Sequence, residues 1–158
     1  MRILSIFLGA LILIAAPQIG FAKTGSPDSV MDRITREEMA ALLRDAGYRA
    51  EIAQGKESKF IRTAMSGYKV AVYFYDCNDD GCAALQLSTL FDKAPNLTIH
   101  AANDWNAKHR YARAYIDTSD ESLFFEYDFV LTGVTAKFIK DNLSLYETQL
   151  GKFVKEAE

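Results

Sequence analysis

The chain is expected to fold as an α+β domain, a single antiparallel sheet with helices packed on one face. Three observations predict this. A capping box at Thr35 opens a run of apolar residues at helical spacing. The stretch beyond Gly133 repeats that spacing as far as about Lys155. Between these ends the pattern switches to a period of two, broken by turn-forming clusters.

The elements follow in order. Thr35-Arg36-Glu37-Glu38 sets a hydroxyl at an N-cap and a carboxylate three residues on, so that each side chain accepts from the other's backbone N–H. Met39, Leu42, Leu43 and Ala46 then recur on one helix face, and Gly47 supplies the stop. Ala50, Ile52 and Ala53 begin a short strand that turns at Gly55-Lys56-Glu57-Ser58. Phe60 to Met65 is a second strand, and Ser66-Gly67 turns again. Lys69 to Asp76, rich in Val and Tyr, carries the strongest strand pattern. Asn78-Asp79-Asp80-Gly81 reads as a turn of four residues, from which Cys82 to Phe91 returns. Asn96 to His100 reads as irregular, and Ala101 to Arg110 as a short helix carrying Trp105.

Tyr111 to Asp117 alternates, with Tyr111, Arg113 and Tyr115 on one face. Beyond a turn at Thr118 to Glu121, Leu123, Phe125, Tyr127, Phe129 and Leu131 point one way while Glu126 and Asp128 point the other. The final helix is expected from about Val134, burying Phe138, Ile139, Leu143, Tyr146, Leu150 and Phe153. Helix, meander, helix, hairpin, helix is an order that one sheet covered on one side accommodates economically.

A chain of 158 residues suits one domain, and 49% hydrophobic with 25% charged residues is a globular balance. The net charge is −3 without a basic patch, so nucleic acid is not an expected partner. Residues 1–22 read as a signal peptide. Arg2 makes a positive start and Ile3 to Ala16 is uncharged and apolar. Gly20-Phe21-Ala22 then offers small residues for cleavage before Lys23. That apolar run falls short of the roughly 20 residues that span a bilayer, and no later segment reaches that length. The expected organisation is therefore signal peptide 1–22, polar linker 23–33 and domain 34–158. The domain would be periplasmic or secreted, with no membrane span after cleavage; retention of the leader as an anchor is the alternative.

Few residues suggest chemistry. Cys77 and Cys82 flank the turn at Asn78–Gly81, where hairpin partners come within reach of a disulfide, and export favours oxidation. A redox-active pair, a metal pair and two free thiols remain alternatives. Asp76, Asp79 and Asp80 crowd the same turn, where turn chemistry accounts for them without a cation. His100 and His109 lack a recognisable nucleophile motif in the sequence. Trp105 with Asn103 and Asn106 is expected to be a buried core anchor, with a place on a binding surface as the alternative. Arg113 is placed to pair with Glu126 or Asp128 across the last hairpin, on a face expected to be solvated. No cofactor is implied.

The helix ending in Ala46-Gly47-Tyr48-Arg49-Ala50-Glu51-Ile52 resembles the start of the YbjN family of bacterial proteins. Gly67 leading into Val70-Ala71-Val72-Tyr73-Phe74-Tyr75-Asp76-Cys77 is similar to its central strand. Asn103-Asp104-Trp105-Asn106, followed by Arg110 to Asp117, is the most specific stretch. The resemblance runs from about Ile34 to Phe153. It implies a fold like that of type III secretion chaperones and a role in sensory-transduction regulation, with no catalytic residues to carry over.

The expected function is an exported, non-enzymatic binding or regulatory module acting through an unknown protein or small ligand. Homodimer formation is one possibility. Trp105, Arg113, Tyr111 and Tyr115 are the candidate interaction surface. The alternative is a small periplasmic enzyme, or a redox or metal protein, using the Cys77/Cys82 turn.

Overall fold

Backbone pairing begins earlier than the polar composition of the N-terminal segment suggests. In the computed structural model, which describes residues 29–92 and 97–157, strand β1 (Val30–Met31) already lies antiparallel to β8 (Val134–Thr135). Asp32 accepts from the Gly133 N–H at 2.9 Å. Ile34 exchanges two backbone hydrogen bonds with Cys82. Residues 30–33, expected as linker, are thus part of the domain, because their backbone groups find partners on the body. The signal peptide expected at 1–22 and linker residues 23–28 lie outside the described residues.

Thr35 opens helix α1 (Arg36–Asp45) through the expected reciprocal box. Its hydroxyl accepts from the Glu38 N–H at 3.2 Å, and Glu38 accepts from the Thr35 N–H at 2.9 Å. Gly47, at φ +90°, ends the helix in a conformation that costs a side-chain-bearing residue energy. Strands β2 (Glu51–Gln54), β3 (Lys59–Met65), β4 (Tyr68–Asn78) and β5 (Gly81–Phe91) then form the meander. Ser66 and Gly67 both take positive φ, +50° and +83°, which makes the tight two-residue turn between β3 and β4. The turn expected over Asn78–Gly81 is tighter than the sequence suggests. Asn78 and Gly81 pair across the hairpin, leaving Asp79 and Asp80 as the loop.

Helix α2 (Ile99–Lys108) starts two residues before the expected position because Thr98 caps it, accepting from the Ala101 N–H. Strand β6 (Arg113–Ile116) is shorter than expected, since Tyr111 at φ +79° lies outside it. Strand β7 (Leu123–Val130) runs as expected, and β8 precedes helix α3 (Ala136–Ala157). The main sheet has six strands, all antiparallel, in the order β2-β3-β4-β5-β7-β6.

One sheet face carries Ile61, Val72, Leu85, Leu87 and Phe125, all buried in a core shared with the three helices. Ile139, Leu143, Tyr146, Leu150 and Phe153 of α3 are buried there too. The Tyr146 hydroxyl pins the helix to the sheet, donating to the Phe125 carbonyl at 2.9 Å and bonding the Thr89 hydroxyl at 2.8 Å. Phe138, expected in this set, is exposed. It sits in the first turn of α3, where it meets Phe129 edge-on at 6.2 Å at the end of the sheet. Tyr48 ties α1 to α3 by donating to Glu147 at 2.7 Å, and Lys140 pairs with Asp45. Among the described residues no helix is long and apolar enough to cross a membrane.

Candidate functional site

The side chains of the sheet's other face alternate with the core set. They are Tyr73 and Tyr75 on β4, Gln86 and Ser88 on β5, Phe124, Glu126 and Asp128 on β7, and Arg113 and Tyr115 on β6. Register decides what meets there. Ser88, Glu126 and Arg113 form one row across three strands, and Gln86 stands opposite Asp128 in the next.

Arg113 reaches both carboxylates. It donates to Glu126 at 2.7 Å and pairs with Asp128 as well. The Gln86 amide donates to Asp128 at 2.8 Å and to Glu126 at 3.3 Å, while its oxygen accepts from the Tyr75 hydroxyl at 3.1 Å. The second Glu126 oxygen accepts from the Tyr115 hydroxyl at 3.2 Å and the Ser88 hydroxyl at 3.3 Å. Glu126 is only 5% exposed. A buried carboxylate is tolerable here because four side chains donate to it, one of them a cation.

The network shifts its own titrating groups. Burial and then the Glu126 charge push the Tyr115 phenol up to about 12. Tyr75 rises for the same two reasons, with Asp128 adding to them. Burial works against the charge on Arg113, but Asp128 and Glu126 more than offset it and raise its pKa. The whole arrangement is a locked polar patch with aromatic rims. Tyr75 is 47% and Tyr115 40% exposed, and Leu90 and Val130 are open beside them. Tyr115 stacks on Phe124 with centroids 5.3 Å apart. Two open hollows flank Asp128. One of about 420 Å³ is lined by Asn106, His109, Tyr111 and Arg113 among others. The other, of about 670 Å³, lies over Tyr75, Gln86, Val130 and Phe138.

The candidate surface residues divide. Arg113 and Tyr115 sit together on the open face. Tyr111, 65% exposed, stands on its rim, off the strand where alternation placed it. Trp105 is 2% exposed and belongs to the core instead. Its indole N–H donates to the Ala112 carbonyl at 2.9 Å, and its ring meets Phe125 and Phe153 edge-on. Tyr127 lies on the covered face and donates to Asn142 at 2.5 Å. Glu126, read as half of a solvated pair, is instead a buried hub.

Of the other chemical candidates, only His109 borders this surface, lining the smaller hollow beside Arg113. His100 is exposed in the first turn of α2. His109 caps that helix, stacks on Trp105 at 3.9 Å and lies 2.7 Å from Glu156. Cys77 and Cys82 are joined as a disulfide across the β4–β5 hairpin. Among the described residues no cluster of three or more His, Cys, Asp or Glu is arranged to hold a metal. Sequence reasoning missed Gln86 and Ser88. Their only signal was polar character at alternate positions of a strand otherwise apolar, which needed the pairing of β5 with β7 to become meaningful.

Residues 35–158 match the profile of the YbjN family, described as "Putative bacterial sensory transduction regulator". The chain belongs to the YbjN family. Its fold agrees with that of a solved structure, YbjN from E. coli, described as "a putative transcription regulator". That likeness has a TM-score of 0.61 at 15% identity and covers 82% of this chain and 94% of the other. No curated protein matches the chain. The YbjN assignment agrees with a regulatory character, and the mixed α+β architecture is that of this solved YbjN structure.

Proposed function

We propose that this YbjN-family domain is an exported, non-enzymatic binding module of bacterial sensory regulation, and that the open sheet face is its working surface. One observation supports the reading above the others. Tyr75 and Tyr115 are exposed, yet both hydroxyls are tied into the Arg113–Glu126–Asp128–Gln86 network. Aromatic groups held in place this way lose little side-chain entropy on binding, which favours recognition over chemistry. The polar groups of the network are engaged with one another, the Ser88 and Tyr115 hydroxyls both donating to Glu126. The partner is a protein or a small ligand, and a second copy of the chain is one candidate.

The test is site-specific photo-crosslinking in the native host, with the photoreactive residue at Tyr115 or, as a control, at the exposed Thr148 in the middle of α3. A discrete adduct from position 115 alone supports the reading. Equal, diffuse labelling from both positions removes it. Light scattering at micromolar concentration separates a homodimer from a heterologous partner. Export is checked by intact mass, which should begin at Lys23; full-length protein in the membrane fraction would mean an anchor.

A further inference from the structure

We propose that the Cys77–Cys82 disulfide is a redox-set latch that holds the N-terminal strap, residues 30–35, against the domain. The inference is independent of the open face. Cys77 and Cys82 stand opposite each other where β4 and β5 run out beyond the body of the sheet. Strand β3 pairs with β4 only as far as Val72, so among the described residues the outer part of β4 has β5 as its sole strand neighbour. A lone two-stranded tip is marginal by itself. The left-handed backbone of Asp76, at φ +53°, interrupts its ladder further.

The strap is built onto this tip. The Ile34 N–H donates to the Cys82 carbonyl at 3.0 Å, and the Cys82 N–H donates to the Ile34 carbonyl at 2.9 Å. Cys82 therefore turns its backbone groups toward the strap, and the covalent bond is what joins it to Cys77. The Arg33 guanidinium donates to the Asp76 carbonyl on one strand at 2.6 Å and to the Gly81 carbonyl on the other at 3.1 Å. Its seat exists only while the two strands stay in register. Gly81 brings its backbone against Ile34 so closely that an added Cβ would lie 2.8 Å from the Ile34 carbonyl carbon and oxygen. The next residue, Thr35, is the N-cap of α1. Loosening the tip thus loosens the seat of the strap and the start of the first helix, while the sheet interior keeps its own packing.

The pair is placed for exchange with a dithiol. Cys77 is exposed and Cys82 is buried. A thiolate of the dithiol attacks the Cys77 sulfur, the Cys77–Cys82 bond breaks, and Cys82 leaves as a thiolate and takes a proton. The second thiolate of the reductant then attacks the reductant's own sulfur in the mixed disulfide, and Cys77 is released and protonated. Two electrons and two protons pass to the protein, and the reductant ends as its disulfide.

The test is hydrogen exchange on the full chain, oxidised and after treatment with dithiothreitol under native conditions, with a free-thiol count on both samples. The Ile34 and Cys82 amides should exchange roughly tenfold faster or more after reduction, the order that a short-loop cross-link contributes. The Val72, Leu87 and Phe125 amides should keep their rates. Cys77→Ser should reproduce the reduced pattern without reductant. A bond that resists dithiothreitol in the folded protein overturns the latch. So does reduction with no change at Ile34, and so does equal acceleration at all five amides, which would make the disulfide a general staple.

Discussion

Asn106 seals the edge of the sheet by imitating a strand. Its side-chain oxygen accepts from the Ala114 N–H at 2.9 Å, and its side-chain nitrogen donates to the Ala114 carbonyl at 2.8 Å. Strand β6 is the last in the sheet, so those two backbone groups would otherwise face outward unpaired. An exposed edge invites pairing with another chain. Asn106→Ala should cost about 2 kcal/mol, since it leaves two half-buried backbone groups without protein partners. Asn106→Asp should cost a similar amount, because it keeps the acceptor but turns an oxygen toward the Ala114 carbonyl. Denaturant midpoints measure both losses, and the alanine variant should also self-associate at lower concentration in sedimentation.

Alkaline pH should weaken the fold through the tyrosines whose phenols the fold raises, Tyr48 and Tyr115 among them beside Tyr75, Tyr127 and Tyr146. Burial, then Glu147 as hydrogen-bond acceptor and charge, raises the Tyr48 phenol from 10.0 to about 12. Burial and Glu126 do the same for Tyr115. Both groups are held neutral more strongly in the folded chain than in the unfolded one. Their contribution is therefore complete below about pH 10 and is lost as pH rises toward 12. Stability measured across that window should fall, and Tyr48→Phe or Tyr115→Phe should flatten part of the fall. A drop of unchanged size in the double Phe variant would assign it elsewhere.

After burial, the charge on Glu126 is the largest influence raising Tyr115 and Tyr75. Glu126→Gln should bring both phenols back toward the ordinary tyrosine range in an ultraviolet titration. Arg113→Ala, leaving Glu126 without its cation, should destabilise by about 1–2 kcal/mol, between the values for exposed and buried pairs, because Arg113 is itself half exposed. A loss below a few tenths would mean that the three neutral donors to Glu126 suffice.

Two glycines with positive φ should respond differently to alanine. Gly47 has open space around the missing Cβ, so Gly47→Ala should cost only the left-handed backbone, about 1 kcal/mol. Gly81 has both a φ of +121° and the Ile34 backbone at 2.8 Å, so Gly81→Ala should cost roughly 3 kcal/mol or more and displace the strap. Thermal midpoints of the two variants decide it, and equal losses would contradict the contact at Ile34.

Thr63 points its hydroxyl into the core of β3 without a hydrogen-bond partner. Thr63→Val keeps the shape and removes the desolvated group, so it should stabilise by about 1 kcal/mol in urea titration. Destabilisation would show that the hydroxyl has a partner in solution.

Much of this architecture was legible residue by residue. The Thr35–Glu38 box, the Ser66-Gly67 turn and the alternation from Leu123 to Leu131 are local signals. Each depends on a few neighbouring side chains and the period of one element, and each produced the element expected of it. Cys77 opposite Cys82 is of the same kind, because a hairpin brings near neighbours together. Tyr111 failed that logic, since alternation assumes an extended backbone and its φ of +79° breaks the period.

Trp105, Glu126 and Asn106 needed tertiary structure. The sequence favours a buried Trp105, and it is buried, but its partners Phe125 on β7 and Phe153 on α3 come from distant parts of the chain. Glu126 looked like half of a surface pair because its hairpin partner is Arg113. It became a buried hub once β5 docked on the other side of β7 and supplied Gln86 and Ser88. The sequence by itself determined the elements, the family and the order in which helices and strands occur. The strand order, the seat of the N-terminal strap and the meeting of Tyr75 with Tyr115 around one charge network were decided only in three dimensions. They depend on contacts between residues far apart in the chain, whose pairing no local period encodes.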